Sequence, residues 1–477
     1  MQNLFQILSG IFIVSILLFL LPSPIFGIVF EDGMIIKNPT PEPMDEFGFS
    51  IAYSGENILV GAGGNHHYLL NPKVQDRGAV YLYDENGKLQ MKFLNPTPTS
   101  IPERNELYGH IVNILENNVL ITARSDDEAG WRAGAAYLFD MTTCDEDLSN
   151  NGILDDNVCE MPLFSITNPE RPREIDEFGV SSVISEKYML IGIPLGKPIE
   201  KYGGGAYLFD VTTGDLLQTF QNPTPKYDDQ FGHWVSISDN NVLIGARNDD
   251  IDATDAGAAY LFDAVTGDLL QTFQNPTPEI GDQFGSSVAI SGNNVLIAAR
   301  NDNTDATDAG AVYLFDAVTG DLLQTFQNPT PEIGDHFGFS LAVSGNNVLI
   351  GAIGDGAGEE YLYFFKTGSE AGAAHLFDMT TGDLLQTFQK NTPVTGDQFG
   401  FSVAISGNNV LIGAIGDDAG ADDAGAVYLF LENTEGTCGD GTELVNGICR
   451  VNEPTPEPEI TEIKEEPKFC FLWWCWY

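Results

Sequence analysis

One segment of about 25 residues recurs along the chain and constrains the fold more than any other feature. Residues 275–299, NPTPEIGDQFGSSVAISGNNVLIAA, return at 328–352 as NPTPEIGDHFGFSLAVSGNNVLIGA. An aromatic-Gly pair marks seven copies: Phe47-Gly48, Tyr108-Gly109, Phe178-Gly179, Phe231-Gly232, Phe284-Gly285, Phe337-Gly338 and Phe399-Gly400. In a chain of 477 residues, a period near 50 residues predicts a repeat architecture such as a propeller, rather than one large core.

Each copy contains four short apolar runs separated by turn residues. In 284–327 these runs are FGSSVAIS, VLIAA, AVYLFD and LLQTFQ, with Gly and Asn between them. Short runs rich in β-branched and aromatic residues, bounded by turn signals, predict a four-stranded antiparallel sheet. The chain is therefore expected to be all-β, with one such sheet for each copy.

The two ends of the repeat region complement each other. The last copy stops after AGAVYLFL at 424–431 and lacks its fourth strand, whereas GMIIKNPTP at 33–41 is a fourth strand without strands before it. Joining them would complete a seventh sheet and remove exposed sheet edges. We expect a seven-bladed β-propeller over residues 28–433, in which the N-terminal strand completes the last blade.

The repeated motif resembles a known family. FGFSVAISGNNVLIGA at 399–414, followed by AGAVYLF at 424–430, is similar to the FG-GAP repeats that form the seven-bladed head of integrin α chains. The resemblance implies a propeller with calcium in an acidic loop between the first and second strands. The corresponding segments here are tight SGNN turns, too poor in carboxylates to surround calcium, so we do not place calcium there.

Acidic residues lie instead between the second and third strands, as in RNDDIDATDAG at 247–257. These loops emerge on the same face as the NPTP connectors between blades. We expect a negative face that contacts a partner or a cation, or alternatively a solvated rim. The residues assigned to this partner face are Asp249, Asp252, Asp255, Asp302, Asp305, Asp308, Tyr361 and Tyr363.

A different acid recurs two positions before each aromatic-Gly pair. We expect these acids to accept hydrogen bonds from backbone N–H groups of the connectors, as Asp does in turns. They are Asp45, Glu106, Asp176, Asp229, Asp282, Asp335 and Asp397. The NPT triplets beside them are not glycosylation sites, because the central proline forbids it.

An insertion in the second blade, CDEDLSNNGILDDNVC at 144–159, is the best local calcium candidate. Its oxygen donors alternate as in the first nine positions of an EF-hand loop, although Val158 stands where the bidentate Glu belongs. The proposed ligands are Asp147, Ser149, Asn151, Ile153 and Asp155. The alternative is a disulfide-closed acidic loop without metal.

The terminal segments and the cysteines indicate an exported protein. Residues 1–27 carry an apolar stretch followed by prolines and predict a signal peptide, with an uncleaved membrane anchor as the alternative. The six cysteines form three close pairs, as expected for local disulfides in an oxidising compartment. We divide the remainder into a small disulfide hairpin at 434–452, an acidic linker at 453–468 and an aromatic tail at 469–477, which is available for membrane, envelope or partner contact.

The formal net charge of −48 excludes nucleic acid and anionic membrane as partners of the acidic surface.

Catalytic motifs are not evident: His110 and His233 share a register after the aromatic-Gly pair and are expected to line the central channel, without a nucleophile beside them. We expect a non-catalytic binding or adhesion module outside the cell, with an extracellular protein or glycan ligand and calcium assistance. An extracellular metal-dependent hydrolase and a passive envelope protein are the alternatives.

Overall fold

A computed structural model gives the structure of the protein. It describes residues 30–31, 33–63, 78–97, 106–144, 158–169, 176–195, 203–356, 361–362, 365–366, 371–433, 442–445 and 448–451. The described residues form strands and turns and contain no helix. Accordingly, no described helix is long and apolar enough to cross a membrane.

The chain builds seven antiparallel sheets in sequence order. The N-terminal strands are β1 (Phe30–Glu31) and β2 (Met34–Lys37). Blade 1 comprises β3 (Phe47–Ser54), β4 (Asn57–Ala62), β5 (Ala79–Asp84) and β6 (Leu89–Phe93). Blade 2 comprises β7 (Tyr108–Leu115), β8 (Asn118–Ala123), β9 (Ala135–Asp140) and β11 (Phe164–Thr167), and the short β10 (Val158–Cys159) between them pairs with β6 of blade 1.

The next three blades have the same four-strand order. Blade 3 comprises β12 (Ser182–Ile184), β13 (Tyr188–Ile193), β14 (Gly205–Asp210) and β15 (Leu216–Gln221). Blade 4 comprises β16 (Phe231–Ser238), β17 (Asn241–Ala246), β18 (Ala258–Asp263) and β19 (Leu269–Gln274). Blade 5 comprises β20 (Phe284–Ser291), β21 (Asn294–Ala299), β22 (Ala311–Asp316) and β23 (Leu322–Gln327).

The last blades carry the remaining strands. Blade 6 comprises β24 (Phe337–Ser344), β25 (Asn347–Ala352), β28 (Ala373–Asp378) and β29 (Leu384–Phe388), with the hairpin β26 (Tyr361–Leu362) and β27 (Phe365–Lys366) inserted. Blade 7 comprises β30 (Phe399–Ser406), β31 (Asn409–Ala414), β32 (Ala426–Phe430) and the N-terminal β2. A separate hairpin of β33 (Thr442–Val445) and β34 (Ile448–Val451) pairs with β1.

The predicted ring closure is confirmed. Strand β2 pairs antiparallel with β32, with Ile36 opposite Val427. The Ser402 hydroxyl of blade 7 donates to the Gly48 carbonyl of blade 1 at 2.6 Å, across 354 positions of sequence. Buried residues of blades 7 and 1 also share one core cluster, so the two ends of the propeller are packed as neighbours.

The aromatic-Gly pair recurs because adjacent blades approach closely at this point. Gly285 has φ +88°, and a Cβ there would lie 2.4 Å from the carbonyl oxygen of Ala258. Only glycine adopts this conformation without strain and leaves room for the neighbouring backbone. The aromatic partner, such as Phe284, is fully buried in the core between blades.

Candidate functional site

The acids that precede the aromatic-Gly pairs hold the connectors between blades. In the connector before blade 5, Asp282 Oδ2 accepts hydrogen bonds from the Glu279 N–H at 2.6 Å and from Asn275 Nδ2 at 2.8 Å. The Asn275 Oδ1 in turn accepts from the Thr277 N–H at 3.0 Å. Asp45, Asp229, Asp335 and Asp397 accept the same backbone hydrogen bond, which confirms the predicted role for these acids and explains the Asn and Thr of the NPT motif.

A second buried acid begins each of several loops between the second and third strands. Asp249 Oδ2 accepts from the Tyr260 hydroxyl at 2.7 Å and from Asn222 Nδ2 at 3.3 Å, and Asp302 makes the same contacts in blade 5. Both acids are almost fully buried. Asp249 and Asp302 therefore brace their own blades, and their assignment to an exposed partner face is corrected.

In blades 4 and 5, the buried acid of the connector and the buried acid of the loop repel each other. The Asn222 amide group donates to both Asp229 and Asp249, and one oxygen of Asp229 has no hydrogen-bond donor among the described residues. Burial raises the pKa of Asp229 to about 6, the hydrogen bond from the Lys226 N–H opposes the rise, and the charge of Asp249 adds to it. The pKa of Asp282 rises to about 6 for the same main reason.

Blades 6 and 7 replace one member of this network. In blade 6, His375 stands where other blades have Tyr; its Nε2 lies 3.0 Å from Asp355 Oδ2 and its Nδ1 lies 3.1 Å from the Thr387 hydroxyl. In blade 7, Lys390 replaces the connector Asn, and its Nζ lies 2.7 Å from carboxylate oxygens of both Asp397 and Asp417. Both replacements are buried, so they are structural substitutes for the missing Tyr and Asn.

Other predicted partner-face residues lie closer to the surface. Asp252 and Asp305 are exposed, and Asp255 and Asp308 are partly buried with φ near +54° and +53°. Tyr361 lies in the inserted hairpin β26–β27. Tyr363 lies outside the described residues. Recognition of a partner by this face stays a prediction.

The two predictions about calcium, its absence from the SGNN turns and its binding in the insertion of blade 2, have separate outcomes. The turn after β20 is tight, with Ser291 opposite Asn294 in the hairpin register, as the SGNN pattern indicates. Cys144 and Cys159 form the predicted disulfide. The proposed ligands Asp147, Ser149, Asn151, Ile153 and Asp155 lie outside the described residues, so calcium in this loop stays a prediction. Among the described residues, no group of three or more His, Cys, Asp or Glu side chains is arranged to hold a metal.

The central channel contains a cavity of about 440 Å³, lined by residues at or next to the first strands of all seven blades. Its lining includes the predicted His110 and His233, and it also includes side chains that the sequence analysis did not single out. These are Phe49, Phe339 and Phe401, which follow the aromatic-Gly pairs, and Arg124, Arg247 and Arg300, which follow the second strands. The sequence signal that could have identified the arginines is a tripeptide that recurs at the ends of these strands as TAR, GAR and AAR.

Besides Ser, Asn and aliphatic residues, the cavity lining contains a group of aromatic side chains and a group of cationic side chains. On the aromatic side, Phe401 lies between Phe49 and Phe339, with ring centroids 5.0 Å from each. On the cationic side, Arg247 Nε donates to the Gln230 amide oxygen at 2.7 Å and Arg300 Nε donates to that of Gln283 at 2.8 Å. These glutamines immediately precede the aromatic-Gly pairs, so the connectors position the guanidinium groups.

Sequence comparison identifies the repeat. The family model described as FG-GAP repeat matches residues 41–83, 226–262, 278–315, 331–377 and 393–430, in blades 1, 4, 5, 6 and 7. The two unmatched blades depart from the pattern, since blade 2 has Tyr108 in place of Phe and blade 3 has a first strand of only three residues. No curated protein matches the chain.

Proposed function

Because the chain is an FG-GAP repeat β-propeller of the integrin-like type, we propose that it is an exported, non-catalytic module that binds an extracellular protein or glycan. The fold suits a binding or adhesion module, and the Cys144–Cys159 disulfide fits an oxidising compartment. Fold alone does not decide function. The proposal therefore depends on the residues of the connector face, which is the face of the propeller that carries the NPTP connectors and the loops between the second and third strands.

The observation that carries the proposal is the separation of the acids into two groups. Asp229, Asp249, Asp282 and Asp302 are buried and hydrogen-bonded within the propeller, whereas Asp252 and Asp305 are exposed on the loops that contain Asp249 and Asp302. The carboxylate–imidazole pair Asp355–His375 is buried inside blade 6, where a substrate has no access. Rigid blades carrying exposed polar loops are the usual arrangement of a recognition surface.

Ligand capture tests the proposal with a matched pair of variants. The full-length protein is immobilised and exposed to cell-surface extracts and a glycan array, with calcium and with chelator. Asp252→Asn with Asp305→Asn removes two charges from the connector face. Asp268→Asn with Asp321→Asn removes two exposed charges from the opposite face of the same blades.

We expect a captured ligand whose binding weakens several-fold in the connector-face variant and is unchanged in the control. Loss of capture with chelator would support calcium assistance. Equal binding by both variants would contradict the assignment of the face. Turnover of a captured ligand by the purified protein would contradict a non-catalytic role.

A further inference from the structure

The cavity at the mouth of the channel concentrates positive charge in a strongly acidic protein. Three of the nine arginines of the chain, Arg124, Arg247 and Arg300, line it, although the formal net charge is −48. None of the three forms an ion pair within 4 Å of a described acid. Desolvated cations without paired carboxylates require a compensating anion.

Several hydrogen-bond donors of the cavity are unused. The terminal nitrogens of Arg247 and Arg300 make no hydrogen bond with described residues, while each Nε is held by its glutamine. Blade 2 has Leu107 in place of that glutamine, and the buried Arg124 Nε has no acceptor among the described residues. The buried His233 Nδ1, which is a donor or an acceptor according to the tautomer, also has no described partner.

The charged groups near the cavity influence one another's pKa values. Burial lowers the pKa of Arg247 to about 10, and the charge of Arg300 contributes, while Asp228 opposes it. Burial also lowers the pKa of His233 well below its usual value, assisted by Arg247 and Arg300, so this imidazole is neutral at pH 7. Glu46 and Glu177 lie near Arg124, but Glu177 is also 3.5 Å from Arg132.

The opposite side of the cavity is suited to the apolar face of a ring. Phe49, Phe401 and Phe339 form a continuous aromatic wall, and the Arg300 guanidinium lies 5.7 Å from the centroid of Phe339. The junction of the wall and the arginines therefore presents an apolar surface next to charged donors. A pocket of about 440 Å³ accommodates a ligand of one or two rings.

We propose that the channel mouth binds a small organic anion, a carboxylate carried on a six-membered ring such as a uronate sugar or an aryl acid. The guanidinium groups of Arg247 and Arg300 bind the carboxylate through their forked N–H donors, and Arg124 adds charge. The ring packs against Phe401 and its two neighbours. This inference deepens the proposed function, because it rests on the connector face as the recognition surface.

Calorimetric titration of the full-length protein at low ionic strength tests the site. The probes are glucuronate and benzoate, with glucose as the neutral ring and acetate as the carboxylate without a ring. Arg247→Gln with Arg300→Gln removes the proposed fork. Lys226→Gln with Lys37→Gln removes the same number of charges from exposed parts of the propeller. Thermal unfolding of each variant shows whether it has kept the fold.

We expect glucuronate or benzoate to bind more tightly than acetate and glucose, and their relative affinities distinguish a sugar from an aryl ligand. The arginine variant should lose about tenfold or more in affinity for the ring carboxylates, while the lysine variant keeps its affinity. Phe401→Leu, which keeps an apolar side chain, should weaken the ring carboxylates and leave acetate unchanged.

Three results would overturn the site: no binding of either ring carboxylate, equal binding of glucose, or an equal loss in the lysine variant. If the arginine variant does not fold, competition settles the question on the native protein, since sulfate should displace a bound ring carboxylate and glucose should not. Ring-carboxylate binding without capture of any macromolecule would contradict the proposed function alone. Capture of a macromolecule without ring-carboxylate binding would contradict this inference alone.

Discussion

Individual acids in this protein have different roles that depend on burial. Asp282 is fully buried and holds a connector, whereas Asp305 in the following loop is exposed. Both occur in similar acidic sequences, so composition alone does not separate them. Asp302 lies in the same loop as Asp305. It is distinguished in the sequence by Tyr313, eleven positions later, whose hydroxyl donates a hydrogen bond to the Asp302 carboxylate.

The buried acids predict a dependence of stability on pH. Asp229 and Asp282 have folded-state pKa values of about 6, above the 3.8 expected when unfolded. The folded state therefore holds protons that the unfolded state releases between these values, so the free energy of unfolding should fall as pH rises from about 4 to 6.

Denaturant unfolding at about pH 5 and about pH 7.5 measures this dependence. In Asp229→Asn with Asp282→Asn, the difference in stability between the two pH values should shrink. The exposed pair Asp268→Asn with Asp321→Asn controls for the overall negative charge. An equal reduction in the control would show that general repulsion, rather than the buried acids, sets the pH dependence.

At the scale of the elements, most strands were predictable because the same pattern of apolar runs recurs in several copies of the repeat. The four apolar runs of 284–327 are the strands β20 to β23, and a tight turn occurs at Gly292-Asn293. The cationic side of the channel was not predicted, because an Arg follows the second strand in only three of the seven blades and the proximity of these arginines depends on how the blades surround the axis.

The connector before blade 7 gives a prediction at this scale. Lys390→Ala would leave the buried Asp397 and Asp417 without their common cation, at a cost of about 3–5 kcal/mol. Lys390→Asn restores the residue used by the other connectors and should be less destabilising. Chemical denaturation of both variants provides the comparison. A larger loss for Asn than for Ala would contradict the interpretation of Lys390 as a substitute for Asn.

At the scale of the whole molecule, the candidate sites depend on ring closure. The arginines of blades 2, 4 and 5 and the phenylalanines of blades 6, 7 and 1 meet only if the seven sheets surround one channel. The sequence predicted this closure, because a strand is missing at one end of the repeats and an extra strand is present at the other. The identity of the ligand depends on side chains at the mouth that vary between blades.

Hydrogen exchange at the closing strands tests the account most directly. Amides of Met34–Lys37 should be protected together with those of Ala426–Phe430, since these strands pair within one sheet. Ile36→Pro removes a backbone donor and a buried side chain, and it should accelerate exchange in Ala426–Phe430. Rapid exchange of 34–37 in the unaltered protein, with 426–430 still protected, would contradict the closed ring and the channel site built on it.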